Sequence, residues 1–342
     1  MYKKVLPWRL FSHVAALVAA CLSLAAPVAA APQDQPLRVV ASFSVLGDMV
    51  SQIGGDFIQL TTIVGPGGDV HSFEPRPSDA KALSEAQLLI VNGLGFEGWL
   101  PRLVQASGFK GVEVVASRGI APRALSPEEA AAHSDEHAHK PGKNGGEGGQ
   151  GNGAQPAQAG AVDPHAWQSL NNGIIYARNI ASALIKADPA HAEGYRSRTE
   201  YYISEMKKLD AELRQVLQTI PEDKRKVVTS HDAFGYFARD YGVRFISALG
   251  ISSDAEPSAK EIAGLIALIK QEGSPPVFLE KSTNSRLIKE VARQTGSQIG
   301  GTLYSDSLSA PDQPAGTYLG MIKWNAGQLL YALRPKENSQ AH

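Results

Sequence analysis

Short runs of apolar residues alternate with longer amphipathic stretches along the chain from residue 37 onward. The runs are rich in Val, Ile and Leu and are too short for helices, and the stretches between them repeat at helical spacing. This alternation is typical of βα units around a parallel sheet. A first series of strands is predicted at 37–44, 59–64, 88–92 and 112–116, with a helix at 78–85.

A second series of the same kind begins at residue 226. Its predicted strands are 226–229, 243–248, 276–279 and 298–303. Its predicted helices are 233–241, 258–271 and 285–295, and Ser258 is expected to cap the second of them. The pattern therefore predicts two α/β lobes.

One long amphipathic helix is predicted between the two series, at about 189–219. At 1.5 Å per residue it would extend about 45 Å, which is enough to span both lobes. Its apolar positions, which recur at helical spacing, are Tyr195, Tyr202, Met206, Leu209, Leu213, Val216 and Ile220.

The first 30 residues have the features of a secretory signal peptide. Basic residues precede an apolar run at 14–24, which is shorter than the about 20 residues of a membrane span. We expect cleavage after Ala30 and export of a soluble protein. The single cysteine, Cys21, would then leave with the signal. Its surroundings also resemble a lipoprotein cleavage box, so lipid anchoring through Cys21 is the alternative.

Composition narrows the possible functions. Lys and Arg number 33 against 34 Asp and Glu, and no basic cluster is interleaved with aromatic residues, which argues against a nucleic-acid partner. Without a cysteine in the mature chain, any metal site must use nitrogen and oxygen ligands. A polar insert at about 126–160 has almost nothing apolar to bury and is predicted to be disordered. Its histidines His133, His137 and His139 are candidates for low-affinity metal binding.

Candidate metal ligands outside the insert are His71, His165, His231 and Asp306. His231 follows the predicted strand 226–229 and Asp306 follows 298–303, and ligands of open α/β sheets collect at the carboxyl ends of the strands. Taken singly, each residue also fits a capping or surface role, which is how we interpret His191. Two residues from each half, converging on a cleft, would form a closed four-coordinate site.

Five ordered motifs resemble the zinc- and manganese-specific substrate-binding proteins of ABC importers. They are Asp69-Val70-His71-Ser72-Phe73-Glu74-Pro75, Asp163-Pro164-His165-Ala166-Trp167, Ser230-His231-Asp232-Ala233-Phe234, the stretch from Ile251 to Ser258 with Glu256-Pro257, and Leu303-Tyr304-Ser305-Asp306-Ser307-Leu308. The resemblance implies two (βα)4-like lobes with parallel sheets, at 31–186 and 221–342, joined by one long interdomain helix at 187–220.

The resemblance also implies a function. His71 and His165 from the first lobe, with His231 and Asp306 from the second, would hold one metal ion at the lobe interface. We expect a monomeric periplasmic protein that captures the ion and delivers it to the permease of an ABC importer in the inner membrane. A periplasmic zinc metallochaperone is a further candidate partner.

The choice of metal depends on His231, because manganese-type members of that family tend to carry Glu there. Imidazole suits zinc and carboxylate suits manganese, so three histidines and one aspartate favour Zn²⁺. Copper and nickel also bind nitrogen ligands, and a manganese-specific protein is the alternative. Zinc-type members often have an acidic residue just before the first histidine, and this chain departs from that pattern because it has Val70 there, which supplies no carboxylate.

Glu280 and Glu256 are candidate outer partners, since ligating histidines usually donate their other N–H to a carboxylate. Asp232 is a weaker candidate of the same kind. A zinc hydrolase would keep three protein ligands and an open water position, so four ligands and the lack of a His-Glu-x-x-His motif argue against an enzyme. A zinc buffer or chaperone without a transporter is the other alternative, and importer genes beside this one would argue against it.

Deletion of residues 126–160 is expected to leave one tight zinc site and normal folding, because the four candidate ligands and the predicted core lie outside the insert. Only weaker additional zinc binding should be lost. Zinc titration and thermal melting of the truncated and full-length proteins would check this. Loss of the tight site would show that the insert supplies a primary ligand.

Overall fold

The computed structural model describes residues 35–125, 162–250, 257–281 and 285–334. The predicted signal peptide with Cys21, the insert with His133, His137 and His139, and Glu256 lie outside the described residues. None of the helices in these ranges combines the length and the apolar character that crossing a membrane requires.

Two four-stranded parallel sheets form the framework. The first contains β1 (Leu37–Phe43), β2 (Ile58–Val64), β3 (Leu88–Val91) and β4 (Val112–Val115), in the order β2-β1-β3-β4. The second contains β5 (Lys226–Thr229), β6 (Arg244–Ser247), β7 (Val277–Glu280) and β8 (Ile299–Leu303), in the order β6-β5-β7-β8. The prediction of two α/β lobes is confirmed, and each strand begins and ends within one residue of its predicted bounds.

The same topology occurs in both sheets. From the first strand of each, the chain moves to one neighbour and then returns to the other side, so that β1 lies between β2 and β3, and β5 between β6 and β7. Such a reversal opens a crevice at the carboxyl ends of the two central strands, where ligands of open α/β sheets bind. This position is where His231, after β5, and Glu280, at the end of β7, are found.

The described residues also form nine α-helices, which pack with the sheets. They are α1 (Ser44–Gly54), α2 (Pro77–Glu85), α3 (Leu100–Ser107), α4 (Leu170–Ala187), α5 (Ala192–Leu217), α6 (Gly235–Tyr241), α7 (Ala259–Gln271), α8 (Ser285–Thr295) and α9 (Tyr318–Leu333). The predicted cap of α7 is confirmed: the hydroxyl of Ser258 accepts a hydrogen bond from the N–H of Glu261, whose carboxylate accepts from the N–H of Ser258.

The long helix α5 contains 26 residues and is therefore about 39 Å long. It is shorter than predicted because Pro189–His191 form a separate 3₁₀ turn before it. The predicted apolar face is buried, except that Val216 is only half-buried and Leu217 occupies the fully buried position. The helix packs on α1 and α4 of the first lobe and on α6 and α9 of the second, so it spans both.

One apolar core extends through the first sheet, the long helix and α9, and a smaller cluster lies within the second lobe. Two hydrogen bonds of Leu308 also cross between the lobes. The N–H of Leu308 donates to Oγ of Ser44 at 3.0 Å, and the carbonyl of Leu308 accepts from the N–H of Gly67 at 3.0 Å. The lobe boundaries of 31–186, 187–220 and 221–342 stay a prediction.

Candidate metal centre

The structure brings His71, His165, His231 and Asp306 together where the two lobes meet, with one ligand atom of each within 4.8 Å of the others. Oδ2 of Asp306 lies 3.0 Å from Nε2 of His231 and 3.5 Å from Nε2 of His71, and Oδ1 lies 3.4 Å from Nε2 of His165. A tetrahedral ion with bonds of about 2.0–2.1 Å would separate its ligand atoms by about 3.3–3.4 Å. The distances to Asp306 are close to this spacing. The predicted ligands thus form one group in space, and their role as a ligand set stays a prediction.

Glu280 holds His231 in place. Its Oε2 lies 2.7 Å from Nδ1 of His231, and its Oε1 accepts hydrogen bonds from the backbone N–H groups of Ser230 and His231 at 2.7 and 3.0 Å. The two residues meet because β5 and β7 are neighbouring parallel strands that end at the same edge of the sheet. The carboxylate therefore fixes the imidazole with Nε2 directed at Asp306.

His165 is held by the residue two positions before it. Oδ1 of Asp163 accepts a hydrogen bond from the backbone N–H of His165 at 2.9 Å and lies 2.9 Å from its Nδ1. A side-chain oxygen that accepts from the N–H two residues on is an Asx turn, so the sequence Asp163-Pro164-His165 forms this geometry locally. Asp163 was not among the predicted outer partners, although an Asp two residues before the candidate ligand was an available signal in the sequence.

His71 has a similar local support. Oδ1 of Asp69 accepts a hydrogen bond from the backbone N–H of His71 at 2.9 Å. The His71 side chain is 9% exposed, whereas those of His165 and His231 are fully buried. His71 therefore lies on the solvent side of the group. Val70, the residue before His71, is fully buried in the apolar core and offers no carboxylate to the group.

The loop after β3 supports two of the histidines. The ring of Phe96 packs edge-on against His71 and His165, with centroids 5.2 and 5.8 Å away. The adjacent carboxylate of Glu97 is buried and accepts hydrogen bonds from Oγ of Ser42 at 2.8 Å and from the N–H of Asn92 at 2.5 Å. Burial raises the pKa of Glu97 despite these hydrogen bonds. No sequence pattern indicated this loop.

Asp306 follows β8 and is tied to the first lobe by its neighbour. The carbonyl of Ser305 accepts hydrogen bonds from Nε1 of Trp167 at 3.0 Å and from Nε2 of Gln168 at 2.8 Å. Both donors come from the segment that directly follows His165. The carboxylate of one lobe is thereby placed opposite a histidine of the other.

The electrostatics of the group favour a cation. Burial lowers the pKa of His231, but the Glu280 and Asp306 carboxylates outweigh burial and raise this pKa well above its usual range. Burial also opposes the charge of Asp306, yet His231 and His165 hold the pKa of this carboxyl well below its usual range. Nε2 of His71 and of His165 and both oxygens of Asp306 are buried and lack a well-formed hydrogen bond among the described residues, although Nε2 of His231 lies 3.0 Å from Oδ2 of Asp306. Buried polar atoms are normally satisfied, and a metal ion would satisfy all of these.

Two residues weighed in the sequence lie outside the group. Asp232 forms an ion pair with Arg123, whose Nη2 is 3.4 Å from its Oδ2. His191, near the start of α5, stacks on Phe57 and has Nδ1 2.7 Å from Oδ2 of Asp188.

The chain matches a known protein family. A family model described as "ZnuA: Zinc-uptake complex component A periplasmic" matches residues 39–332. The chain belongs to this family. Members of the ZnuA family are extracytoplasmic substrate-binding proteins of metal ABC transporters, which work with permease components, and are not enzymes.

Individual relatives are named for different metals. The iron-binding protein YfeA of Yersinia pestis is 33% identical over 294 residues, which is 85% of each chain. The manganese ABC transporter substrate-binding lipoprotein PsaA of Streptococcus pneumoniae is 33% identical over 301 residues, or 87% of this chain and 89% of PsaA. The structure of the periplasmic zinc-binding protein TroA from Treponema pallidum matches with a TM-score of 0.75 at 28% identity, covering 88% of this chain and 100% of TroA. The chain is therefore a periplasmic binding protein for divalent metal ions.

Proposed function

We propose that this ZnuA-family protein captures Zn²⁺ with His71, His165, His231 and Asp306 and delivers it to the permease of an ABC importer. The observation that carries the proposal is the donor set, in which three imidazoles and a single carboxylate converge within 4.8 Å. Four protein ligands of this kind are typical of a closed tetrahedral zinc site.

The buried charge of Asp306 supports a cation at the group. Asp306 brings one negative charge, and its side chain is 1% exposed. The nearby carboxylate of Asp163 is paired with Arg123 at 2.9 Å. A cation held by Asp306 would offset its buried charge, and buried charges are costly unless they are paired.

The role of Glu280 favours zinc over manganese. Its two oxygens are engaged by Nδ1 of His231 and by two backbone N–H groups, so it supports an imidazole and does not point into the ligand group. Asp306 is then the single oxygen donor of the set, whereas manganese suits carboxylates, carbonyls and water. Manganese and iron are the competing metals, because YfeA and PsaA carry those names.

Elemental analysis of protein purified from the periplasm, joined to competition titration of the metal-free protein with Zn²⁺, Mn²⁺ and Fe²⁺, tests the proposal. We expect one equivalent of zinc and tighter binding of zinc than of the other two ions. Predominant occupancy by manganese or iron would assign the chain to that metal. Loss of zinc uptake on deletion of the gene would separate a transport role from a buffer or chaperone role.

Outside the inner membrane the protein would be either free or anchored by a lipid. Cleavage after Ala30 would release the protein into the periplasm. Anchoring through Cys21 would match relatives such as PsaA, which is named a lipoprotein. A zinc metallochaperone as loading partner also stays a proposal.

Acidification is expected to release zinc, because the histidines must be neutral to bind it. Since the pKa of His231 is raised in the metal-free protein, protons should compete already near neutral pH, and not only below the usual value of about 6.5. Below the raised pKa the metal-free protein gains stability from the protonated imidazole, so the rise in melting temperature that zinc provides should shrink on acidification. Calorimetry in buffers of different ionisation enthalpy would count the protons released. An affinity that does not change with pH would contradict this.

A further inference from the structure

Arg123 lies between the two segments that carry the buried histidines and bonds to both. Its Nε is 2.9 Å from Oδ2 of Asp163, the carboxylate that orients His165. Its Nη2 is 3.4 Å from Oδ2 of Asp232, the residue directly after His231. The guanidinium thus links Asp163, which orients His165 of the first lobe, to Asp232, which is adjacent to His231 of the second lobe.

The backbone around Arg123 is fixed by the second lobe as well. The N–H of Arg123 donates to the hydroxyl of Tyr236 at 2.9 Å, and this hydroxyl donates to the carbonyl of Asp163 at 3.0 Å. The N–H of Asp163 in turn donates to the carbonyl of Arg123 at 2.9 Å. Tyr236 belongs to α6, so a side chain of the second lobe closes a hydrogen-bonded ring with the first.

Gly235 provides the space that the guanidinium occupies. A Cβ at this position would lie 2.2 to 2.5 Å from the nearest guanidinium atoms of Arg123. Gly235 is the first residue of α6 and has no positive φ, so its backbone conformation does not require glycine. The close approach of Arg123 does.

We propose that Arg123 is a positioning residue that couples the two histidine segments and keeps the ligand group closed around its ion. The inference rests on the proposed function, in which His165 and His231 bind the metal from opposite lobes. Release of the ion requires His165 and His231 to move apart. A contact that joins Asp163 to Asp232 opposes this movement. Loss of a direct outer partner of a metal ligand, which Asp163 is for His165, typically weakens metal binding by about 10- to 100-fold, so the lower end of this range is expected for Arg123, which acts through Asp163.

A purely electrostatic role of Arg123 would have the opposite sign. The guanidinium is a cation beside a cation site, so its removal would make the surroundings more negative and would tighten metal binding. Arg123→Lys separates the two roles, because a lysine ammonium is a point charge without the planar fork that contacts two carboxylates. Positioning predicts weaker zinc binding in Arg123→Met and in Arg123→Lys. Charge alone predicts tighter binding in Arg123→Met and parental binding in Arg123→Lys.

The experiment measures zinc affinity by competition titration and zinc release by rapid mixing with a chelator, on the full mature chain. We expect Arg123→Met to raise the dissociation constant by about tenfold, with faster release. Gly235→Ala should act in the same direction, because it displaces the guanidinium without changing any charged group. Gly264→Ala in α7 is the matched control, since a Cβ there meets nothing within 4 Å, and it should bind zinc as the parent does.

Asp232→Asn tests the contact that crosses between the lobes. If Arg123 acts through Asp232, the double variant with Arg123→Met should weaken zinc no further than Arg123→Met alone. Melting of the metal-free variants identifies losses of stability. Parental zinc affinity and release in both Arg123→Met and Gly235→Ala would overturn this inference and leave the proposed function intact. Failure of the unaltered chain to bind zinc would overturn both.

Discussion

Replacing Asp306 with asparagine is expected to raise the dissociation constant for Zn²⁺ by about thirtyfold to a few thousandfold. Asp306 contacts all three histidines at 3.0 to 3.5 Å and is the single charged donor of the group. Removing one partner of a buried charge pair costs about 2–5 kcal/mol, and every 1.4 kcal/mol is tenfold in affinity. Asparagine keeps the shape of the side chain, so the charge is the main quantity that changes. Competition titration at fixed pH would measure the effect.

Asp48→Asn is the matched control for Asp306→Asn. Asp48 is a carboxyl on α1 that accepts a hydrogen bond from the backbone N–H of Tyr318 at 2.8 Å, and burial raises its pKa. Asparagine can accept the same hydrogen bond, and Asp48 is not part of the candidate ligand group. We expect Asp48→Asn to change the melting temperature at most, with parental zinc affinity. Parental affinity in Asp306→Asn would mean that this carboxylate does not hold the ion.

The strands were predictable because of where they lie in the fold. Strands of a parallel sheet covered by helices are short apolar runs between polar turns, and β1 and β3 have this pattern. The helix α9 was not predicted, although its buried residues have helical spacing and Thr317 caps it by accepting from the N–H of Gly320. In the long helix, Leu217 is buried in place of the predicted Val216. Which of the two is buried depends on packing against neighbouring elements, and the periodicity of the sequence does not specify this packing.

The candidate metal site was predictable only where topology or local sequence brings its residues together. His231 and Asp306 follow strands of one sheet, so their proximity could be inferred from topology. The support of His165 by Asp163 is local and could have been found in the sequence. Arg123 is different, because it lies 40 residues before Asp163 and 109 before Asp232. No local pattern predicts either pairing. The one with Asp163 depends on the bridge between Ala124 and Val162, and the one with Asp232 arises only when the two lobes are packed together.

His231→Glu is expected to shift the preference of the site from zinc towards manganese, lowering the ratio of zinc affinity to manganese affinity by about tenfold or more. The substitution replaces a neutral nitrogen donor with a second charged oxygen donor beside Asp306. Two imidazoles and two carboxylates suit the harder Mn²⁺ ion better than the parental set does. Zinc is still expected to bind more tightly in absolute terms, because the general affinity order places Mn²⁺ lowest.

Glu280 adds a condition to this experiment. Its Oε2 lies 2.7 Å from Nδ1 of His231, so a glutamate at position 231 would bring a second buried carboxylate against it. Like charges at this distance raise the pKa of one carboxyl, and the protonated form is a poor metal ligand. Adding Glu280→Gln should relieve the repulsion, because Gln keeps an oxygen for the N–H of Ser230 and offers an amide donor to the new carboxylate. The double variant should therefore bind manganese more tightly than His231→Glu alone.

His231→Ala is the control that separates a change of donor from a loss of donor. It should weaken zinc binding without improving manganese binding, because it adds no oxygen ligand. Competition titrations with both metals at one pH, on the parent and on the three variants, give the ratios directly. If both Glu-containing variants kept the parental ratio, His231 would not contact the metal. The candidate ligand set would then be reduced to His71, His165 and Asp306. Three protein ligands with an open position are the arrangement of catalytic zinc, and not of a closed binding site. The proposed closed zinc site would therefore lose its basis.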